Sequence, residues 1–271
     1  MFDLARSLWS TGQPVPVPWP QVGRYLKPRT QSVMIALAAS GVGKSTFALD
    51  WALELDAPAL YLSLDTSLLD HTVRVIARNT GKTTREVEEG FEDDPMAWAE
   101  RHYEYVLNLP HRVRFCDQNM RVETVGELVA AETEYWGEPP KLVVVDNLMN
   151  LVENGESAAE YRRIVGELLR IAKTHHTLVV GLHHQRKKPA KSLKDGEDDD
   201  DEGTRPVRLH DSLFAVDQEA KYVIGLWRPN LGDLKISILK NRMGDADPNA
   251  KVQASLSIDL ARATVKDRVA A

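Results

Sequence analysis

The sequence predicts an α/β protein with a mostly parallel central sheet, helices on both of its faces, and antiparallel strands added at the carboxyl end. Two observations carry this. Up to residue 184, short and almost continuously apolar runs ("SVMIAL", "ALYLSL", "RVRFC", "KLVVV", "TLVVGL") alternate with amphipathic helical stretches, as parallel strands covered on both faces require. Past residue 220 the helices give way to "KYVIGLW", "LKISIL" and "KVQASLSI", separated by "RPNLGD" and "NRMGDADPN". That spacing is an antiparallel or mixed extension of the same sheet.

Taken in order, residues 1–9 offer a short helix with Leu4, Ala5, Leu8 and Trp9 on one side, either frayed or docked on a neighbouring subunit. The proline-rich spacer "PVPVPWPQ" follows. Each of the first four strand candidates then leads into a helical pattern: "GKSTFALDWALEL", "SLLDHTVRVIARN", "TVGELVAAETEYW" and "SAAEYRRIVGELLRIAKTH". The fifth leads into residues 185–209, too long for an ordinary connection. This stretch starts basic, turns acidic in "DGEDDDDEG", and ends with Arg205 and Arg208. The chain therefore divides into an arm and spacer (1–30), a core (31–262) interrupted by the 185–209 insertion, and a tail (263–271).

With 271 residues, of which 43% are hydrophobic, the chain can bury a substantial core. The amino terminus lacks the pattern of a secretory signal and no run has the length to cross a bilayer, so a cytoplasmic protein without membrane contact is expected. A single cysteine, Cys116, excludes an internal disulfide and a cysteine metal cage; "RVRFCD" places it as a buried strand thiol. A net charge of −6 means that any nucleic-acid contact must rest on local positive charge, which argues against a general coating protein.

The chemistry lies first in "AASGVGKS", residues 38–45, which nearly matches the phosphate-binding pattern GxxxxGK[ST]. Such a loop works because backbone N–H groups converge on phosphate oxygens at the positive end of the following helix. Ser40, Gly41, Val42, Gly43, Lys44, Ser45 and Thr46 are the expected nucleotide contacts, with Lys44 neutralising phosphate charge and Ser45 meeting Mg²⁺. Ala38 replaces the first glycine; its methyl is tolerable where the strand leaves the sheet, provided φ stays negative. In "KLVVVDN" an apolar strand ends in Asp146, which puts an acid at the carboxyl edge of the sheet, beside Ser45 and able to hold the Mg²⁺ water shell. ATP and Mg²⁺ are the implied ligands.

On these motifs, residues 31–258 resemble the DnaB-type replicative helicases, including the helicase half of phage primase-helicases, within the RecA-like ATPases. In that family the first loop position is often alanine. "LYLSLD" followed by "DHTVRVIA" is similar to its strand ending in a catalytic acid and the next helix. "TLVVGLHHQRKKP" resembles the strand carrying the γ-phosphate sensor, and "LKNRMG" the Lys-x-Arg-x-Gly stretch that supplies fingers to a neighbour's ATP.

The resemblance implies a role for each residue. Asp65 would orient the attacking water, where the family usually has glutamate; alternatively it caps the helix at "SLLD". His184, or else His183, would sense the γ-phosphate, unless the pair simply ends a strand. Arg242 would be an arginine finger, with Lys240 beside it, making hydrolysis depend on a homo-oligomer, expected as a hexameric ring. Lys187, Lys188, Arg205 and Arg208 would contact single-stranded or forked DNA. The acidic run 195–202 reads as a solvated insertion or as a mimic of DNA charge. Only the motor is expected: the stretch before the loop has no room for a helical amino-terminal domain or a primase, so a separate loader or primase becomes a possible partner.

Three activities fit these residues: a motor that moves on and unwinds DNA, a recombination or remodelling ATPase that does not unwind, and a metal-dependent nuclease. The nuclease reading rests on "EDD" at residues 92–94 and the run around Asp198.

Overall fold

The structure, a computed structural model, describes residues 12–107, 112–153, 155–185, 203–214 and 216–268. It is built on one nine-stranded sheet of order β3-β2-β4-β5-β1-β6-β7-β8-β9. The strands are β1 (Ser32–Ala38), β2 (Ala59–Ser63), β3 (Val113–Cys116), β4 (Leu142–Asp146), β5 (Leu178–His184), β6 (Tyr222–Trp227), β7 (Asp233–Asn241), β8 (Gln253–Asp259) and β9 (Thr264–Asp267). The six from β3 to β6 in this order run parallel, and β6 to β9 pair antiparallel. This is the RecA-like arrangement of a mostly parallel sheet with antiparallel carboxyl-terminal strands. Five of the eight strand runs read from the sequence become the parallel centre and one edge, and three the extension.

The period-2 alternation of a strand explains how each parallel strand serves two cores. In β1, Met34, Ala36 and Ala38 pack into one cluster with Phe47, Trp51 and Tyr61, whereas Val33, Ile35 and Leu37 pack into the other with Tyr161, Ile164 and Leu168. The helices covering the sheet include α2 (Lys44–Glu54) on the first face, and α6 (Val122–Trp136) and α7 (Ala158–Thr174) on the second. Between β2 and β3 stand α3 (Leu68–Thr80), α4 (Thr84–Asp93) and α5 (Pro95–Leu107), with a small core of their own. There the buried Trp98 donates its indole N–H to Val87 O at 2.9 Å. The sequence reading recognised α3 but assigned no element to α4 and α5.

The spacer and the tail are the main departure from the sequence reading. Val15, Trp19, Val22 and Leu26 are buried in the first-face cluster, and α1 (Pro20–Gly23) begins with its proline at the first helical position. Trp19 stacks on Phe47 with centroids 4.6 Å apart and donates to Val265 O at 3.1 Å; Trp51 donates to Pro16 O at 2.8 Å. Residues 264–267 form β9, with Val265 buried, and thus complete the sheet rather than trail from it. Proline richness signals the absence of regular hydrogen bonding, but the valines and Trp19 between the prolines still have apolar surface to bury. Residues 1–11 lie outside the described residues, as does the acidic run 195–202. No helix among the described residues is long and apolar enough to cross a membrane.

Candidate active site

The chain leaves β1 at Ala38, a buried strand residue paired with His184, and turns through residues 39–43 into α2. Because the strand itself occupies the first motif position, no left-handed backbone is needed there. It is needed later: Gly41 has φ of 74° and Gly43 of 106°. A Cβ on Gly43 would stand 2.6 Å from Ile258 Cδ1, whereas one on Gly41 meets nothing within 4 Å. The Ile258 methyl is the end of a flexible side chain and can shift aside, so it is the backbone conformation that requires glycine at position 43.

A cavity of about 390 Å³ opens at the carboxyl edge of the parallel strands, where Ser40, Gly41, Gly43, Lys44, Ser45, Thr46, Asp65, Asp146 and His184 converge. Of the expected nucleotide contacts only Val42 turns away; it is buried at 3% exposure and faces a second cavity of about 410 Å³ with Gly203, Arg228 and Leu231. Arg228 reaches back to donate to Gly41 O at 3.2 Å.

Lys44 is buried at 7% exposure, and its ammonium donates to Ala38 O (3.3 Å) and Ala39 O (3.1 Å) and lies 3.3 Å from His184 Nδ1. Burial lowers its pKa to about 8, against the opposing pull of Asp146 and Asp65. Asp146 is held by the phenol of Tyr61, which donates to Oδ2 at 2.8 Å. Burial raises the Asp146 pKa, with Ser45, Tyr61 and Lys44 acting in the other direction. A buried carboxylate beside a serine hydroxyl is a donor set that suits Mg²⁺, a hard cation that takes oxygen ligands.

Asp65 lies exposed just past the end of β2. It does not cap the following helix; that cap is Ser67, whose hydroxyl accepts from the Asp70 N–H in a capping box. Instead, Asp65 Oδ2 accepts from Asn147 Nδ2 at 3.3 Å, while Asn147 Oδ1 accepts from the Met149 N–H at 2.9 Å. The two histidines at the end of β5 separate by strand alternation. His184 lines the cavity; His183 is fully buried on the other face, 4.9 Å from the Tyr161 ring, and burial lowers its pKa to about 4.

The remaining expected residues lie elsewhere. Arg242 occupies an exposed turn after β7 and does not line the cavity. Its N–H donates to Lys221 O at 3.4 Å, and the Lys221 N–H donates to Val33 O at 3.0 Å. Arg242 thus sits beside the start of β1, at the opposite edge of the sheet from the loop that follows Ala38. Five strand residues at about 3.3 Å each put roughly 16 Å between the two edges. The Lys240 ammonium is taken up by Asp217 O (2.7 Å) and Gln218 O (3.1 Å), so it braces the strand, and burial together with the nearby charge of Arg242 lowers its pKa.

Arg205 is likewise committed, through bidentate contacts of 2.9 and 3.2 Å to Asp211, whereas Arg208 is exposed. Lys187 and Lys188 lie outside the described residues. Cys116 is half-buried at the end of edge strand β3 rather than fully enclosed. Of the acids at residues 92–94, two end α4 and the third caps it. Among the described residues no three His, Cys, Asp or Glu side chains come together as a metal group.

Sequence reasoning missed Arg74, Asn147 and Glu88, all of which line the cavity. Arg74 is the most informative, since its buried Nη1 has no hydrogen-bond partner among the described residues. Its position on the same face of α3 as Asp70, i+4 along the helix, is the signal that was available.

Fold and site together define a RecA-like protein built around a phosphate-binding loop. The chain belongs to the AAA domain family, whose profile matches residues 17–190. It is similar to the Gene 65 protein of Mycobacterium phage L5, 27% identical over 274 residues and covering 94% of this chain and 95% of that protein. The Gene 65 protein of Mycobacterium phage D29 is 25% identical over 236 residues, covering 83% and 94%. Among solved structures, one described as an ATPase domain superposes with a TM-score of 0.75 at 16% identity over 94% of this chain and 91% of that one. A DnaB-like replicative helicase, described with its interactions with primase, gives the same TM-score and identity; the match spans 94% of this chain and 62% of that one. At that identity the likeness is one of fold.

Proposed function

We propose that this protein is an ATP-driven motor that acts on single-stranded or forked DNA, with catalytic sites formed between copies of itself. The observation that carries the reading is the division of the machinery between two edges of one sheet: the loop, Lys44, Asp65, Asp146 and His184 at one, and Arg242 at the other. A finger roughly 16 Å away across the sheet cannot serve its own protomer's nucleotide, but in a ring it faces the next.

In this reading the amides of residues 41–45 and the amino end of α2 bind the phosphates, and Lys44 exchanges its carbonyl partners for phosphate oxygens. Ser45 and Asp146 would hold Mg²⁺, which would supply positive charge to offset that of the phosphates. Asp65, steadied by Asn147, accepts a proton from the attacking water as its oxygen bonds to the γ-phosphorus and the bond to the β-phosphate oxygen breaks. Arg74 from the same chain and Arg242 from the neighbour stabilise the charge that builds on the transferring group. His184, adjacent to Lys44 and directly followed in sequence by residues 185–209, links the phosphate to the DNA-binding segment. There Lys187, Lys188 and Arg208 meet the DNA backbone, and Arg205 braces the segment through Asp211. The second cavity, beside Val42 and Arg228, is the place for the nucleotide base.

Steady-state ATP hydrolysis, measured across a dilution series with and without single-stranded DNA, tests the reading. The rate per subunit should rise with protein concentration, increase with DNA, and collapse in Lys44→Ala and Arg242→Ala. A rate per subunit that is constant down to monomer and unaffected by Arg242→Ala would overturn it.

A further inference from the structure

Strand β7 ends at Asn241, and residues 242–245 are exposed. An exposed turn carrying a long side chain is a poor platform for transition-state stabilisation unless something fixes its backbone. Asn241 is half-buried and makes two hydrogen bonds in opposite directions. Its Nδ2 donates to Tyr25 O at 2.7 Å, and its Oδ1 accepts from the Met243 N–H at 3.0 Å. The orientation of the amide is dictated by its partners, since a carbonyl can only accept and an N–H only donate. Gly244 lies against the same bond: a Cβ there would stand 3.0 Å from Asn241 Nδ2 and 3.6 Å from Tyr25 O.

Tyr25 belongs to the arm, not to the sheet. Its own N–H donates to Val22 O, and the arm is anchored by the buried side chains of Trp19, Val22 and Leu26 and by the Trp19 indole on Val265 O. The turn therefore hangs between β7 and a segment that the aromatic cluster fixes to α2, the helix that starts at the phosphate loop.

We propose that Asn241 is the positioning residue for Arg242, and that the arm from Trp19 to Leu26 is part of the half-site each protomer offers to its neighbour's nucleotide. This rests on the reading of Arg242 as a finger supplied in trans. Without the link to Tyr25 the turn keeps its local bond to Met243 and the long 3.4 Å contact of the Arg242 N–H with Lys221 O, but loses its tie to the arm. Misplacement by about 1 Å is enough to cost a catalytic contact up to roughly 100-fold in rate.

The test uses Asn241→Asp, which keeps an acceptor for the Met243 N–H but turns a carboxylate oxygen towards the Tyr25 carbonyl. Gly244→Ala crowds the same bond while leaving Asn241 in place, and serves if the first variant fails to fold. Both should lower kcat for ATP by about tenfold or more with KM within about twofold. Each variant is then mixed with excess Lys44→Ala subunits, whose own sites are dead but whose fingers are intact; hydrolysis per variant subunit should recover to more than half the native rate. Arg242→Ala, mixed in the same way, is the reference.

Native kcat in both variants overturns the inference. So does a fall that Lys44→Ala subunits fail to rescue while they do rescue Arg242→Ala, because the defect would then lie in the variant's own site. If Arg242→Ala is not rescued either, the trans-acting finger itself is refuted and the inference falls with it.

Discussion

Nucleotide binding above pH 8 should take up a proton, and Lys44 is the reason. In the nucleotide-free protein burial holds its pKa at about 8, below the ordinary 10.5. Polyphosphate beside the ammonium adds negative charge to that of Asp146 and Asp65 and returns the pKa to its ordinary value or above. The fraction of Lys44 to be protonated on binding is then about 0.1 at pH 7 and about 0.75 at pH 8.5, from a pKa of about 8. By linkage the association constant for ATP should fall roughly 30-fold between pH 7 and pH 9.5. The same shift has a second consequence. Between pH 8 and 10.5 the unfolded chain binds more protons at this lysine than the folded one, so the nucleotide-free protein should gain stability as pH rises through that window. Titration calorimetry in buffers of different ionisation enthalpy, at saturating Mg²⁺, counts the protons directly. Zero uptake at pH 8.5 with a flat affinity up to pH 9.5 would refute the reasoning, and Lys44→Arg should abolish the uptake because guanidinium stays charged.

Trp19→Ala should destabilise the protein by ~3–5 kcal/mol in denaturant unfolding, because it empties a buried site and leaves Val265 O without its donor; a loss below ~1 kcal/mol would mean that the arm is not part of the cooperative fold. Gly43→Ala should weaken nucleotide binding and cost at least the ~1–2 kcal/mol of a left-handed backbone that Gly41→Ala should also lose; paired melts with a fluorescent nucleotide titration read both, and a native melt with native binding would contradict the strain at Gly43. Asp65→Asn should lower kcat at least ~100-fold with nucleotide affinity nearly unchanged, since the amide cannot take the proton from water; a native rate would remove Asp65 from the mechanism.

Much of this fold is legible in the sequence because its parallel strands are buried on both faces and are therefore apolar along their whole length. "KLVVVDN" announces both a strand and the acid that ends it. The packed arm and β9 are not legible in the same way. Their apolar residues are few and their contacts are 246 residues away, as between Trp19 and Val265, so no local period marks them. The phosphate loop is readable because backbone geometry demands glycine at fixed positions. Arg74 is not, because an arginine on an amphipathic helix looks solvated until the cavity is seen beside it. Strand alternation separates His183 from His184 once the register with β1 is known, and only a three-dimensional pairing supplies that register. Lys240 and Arg205 look like free cations in a basic motif. Lys240 is committed to Asp217 and Gln218, more than twenty residues back, and Arg205 to Asp211, six residues on across an irregular turn, neither at a spacing that a helix or strand period marks.

The central claim, a DNA motor driven by ATP at this site, is tested most directly by end-labelled forked DNA incubated with the protein and Mg²⁺, with and without ATP, and resolved on native and denaturing gels. The account predicts full-length strand released only with ATP and not by Lys44→Ala. Shortened strand on the denaturing gel would contradict it in favour of a nuclease, and ATP hydrolysis stimulated by DNA without strand release would contradict it in favour of a remodelling ATPase.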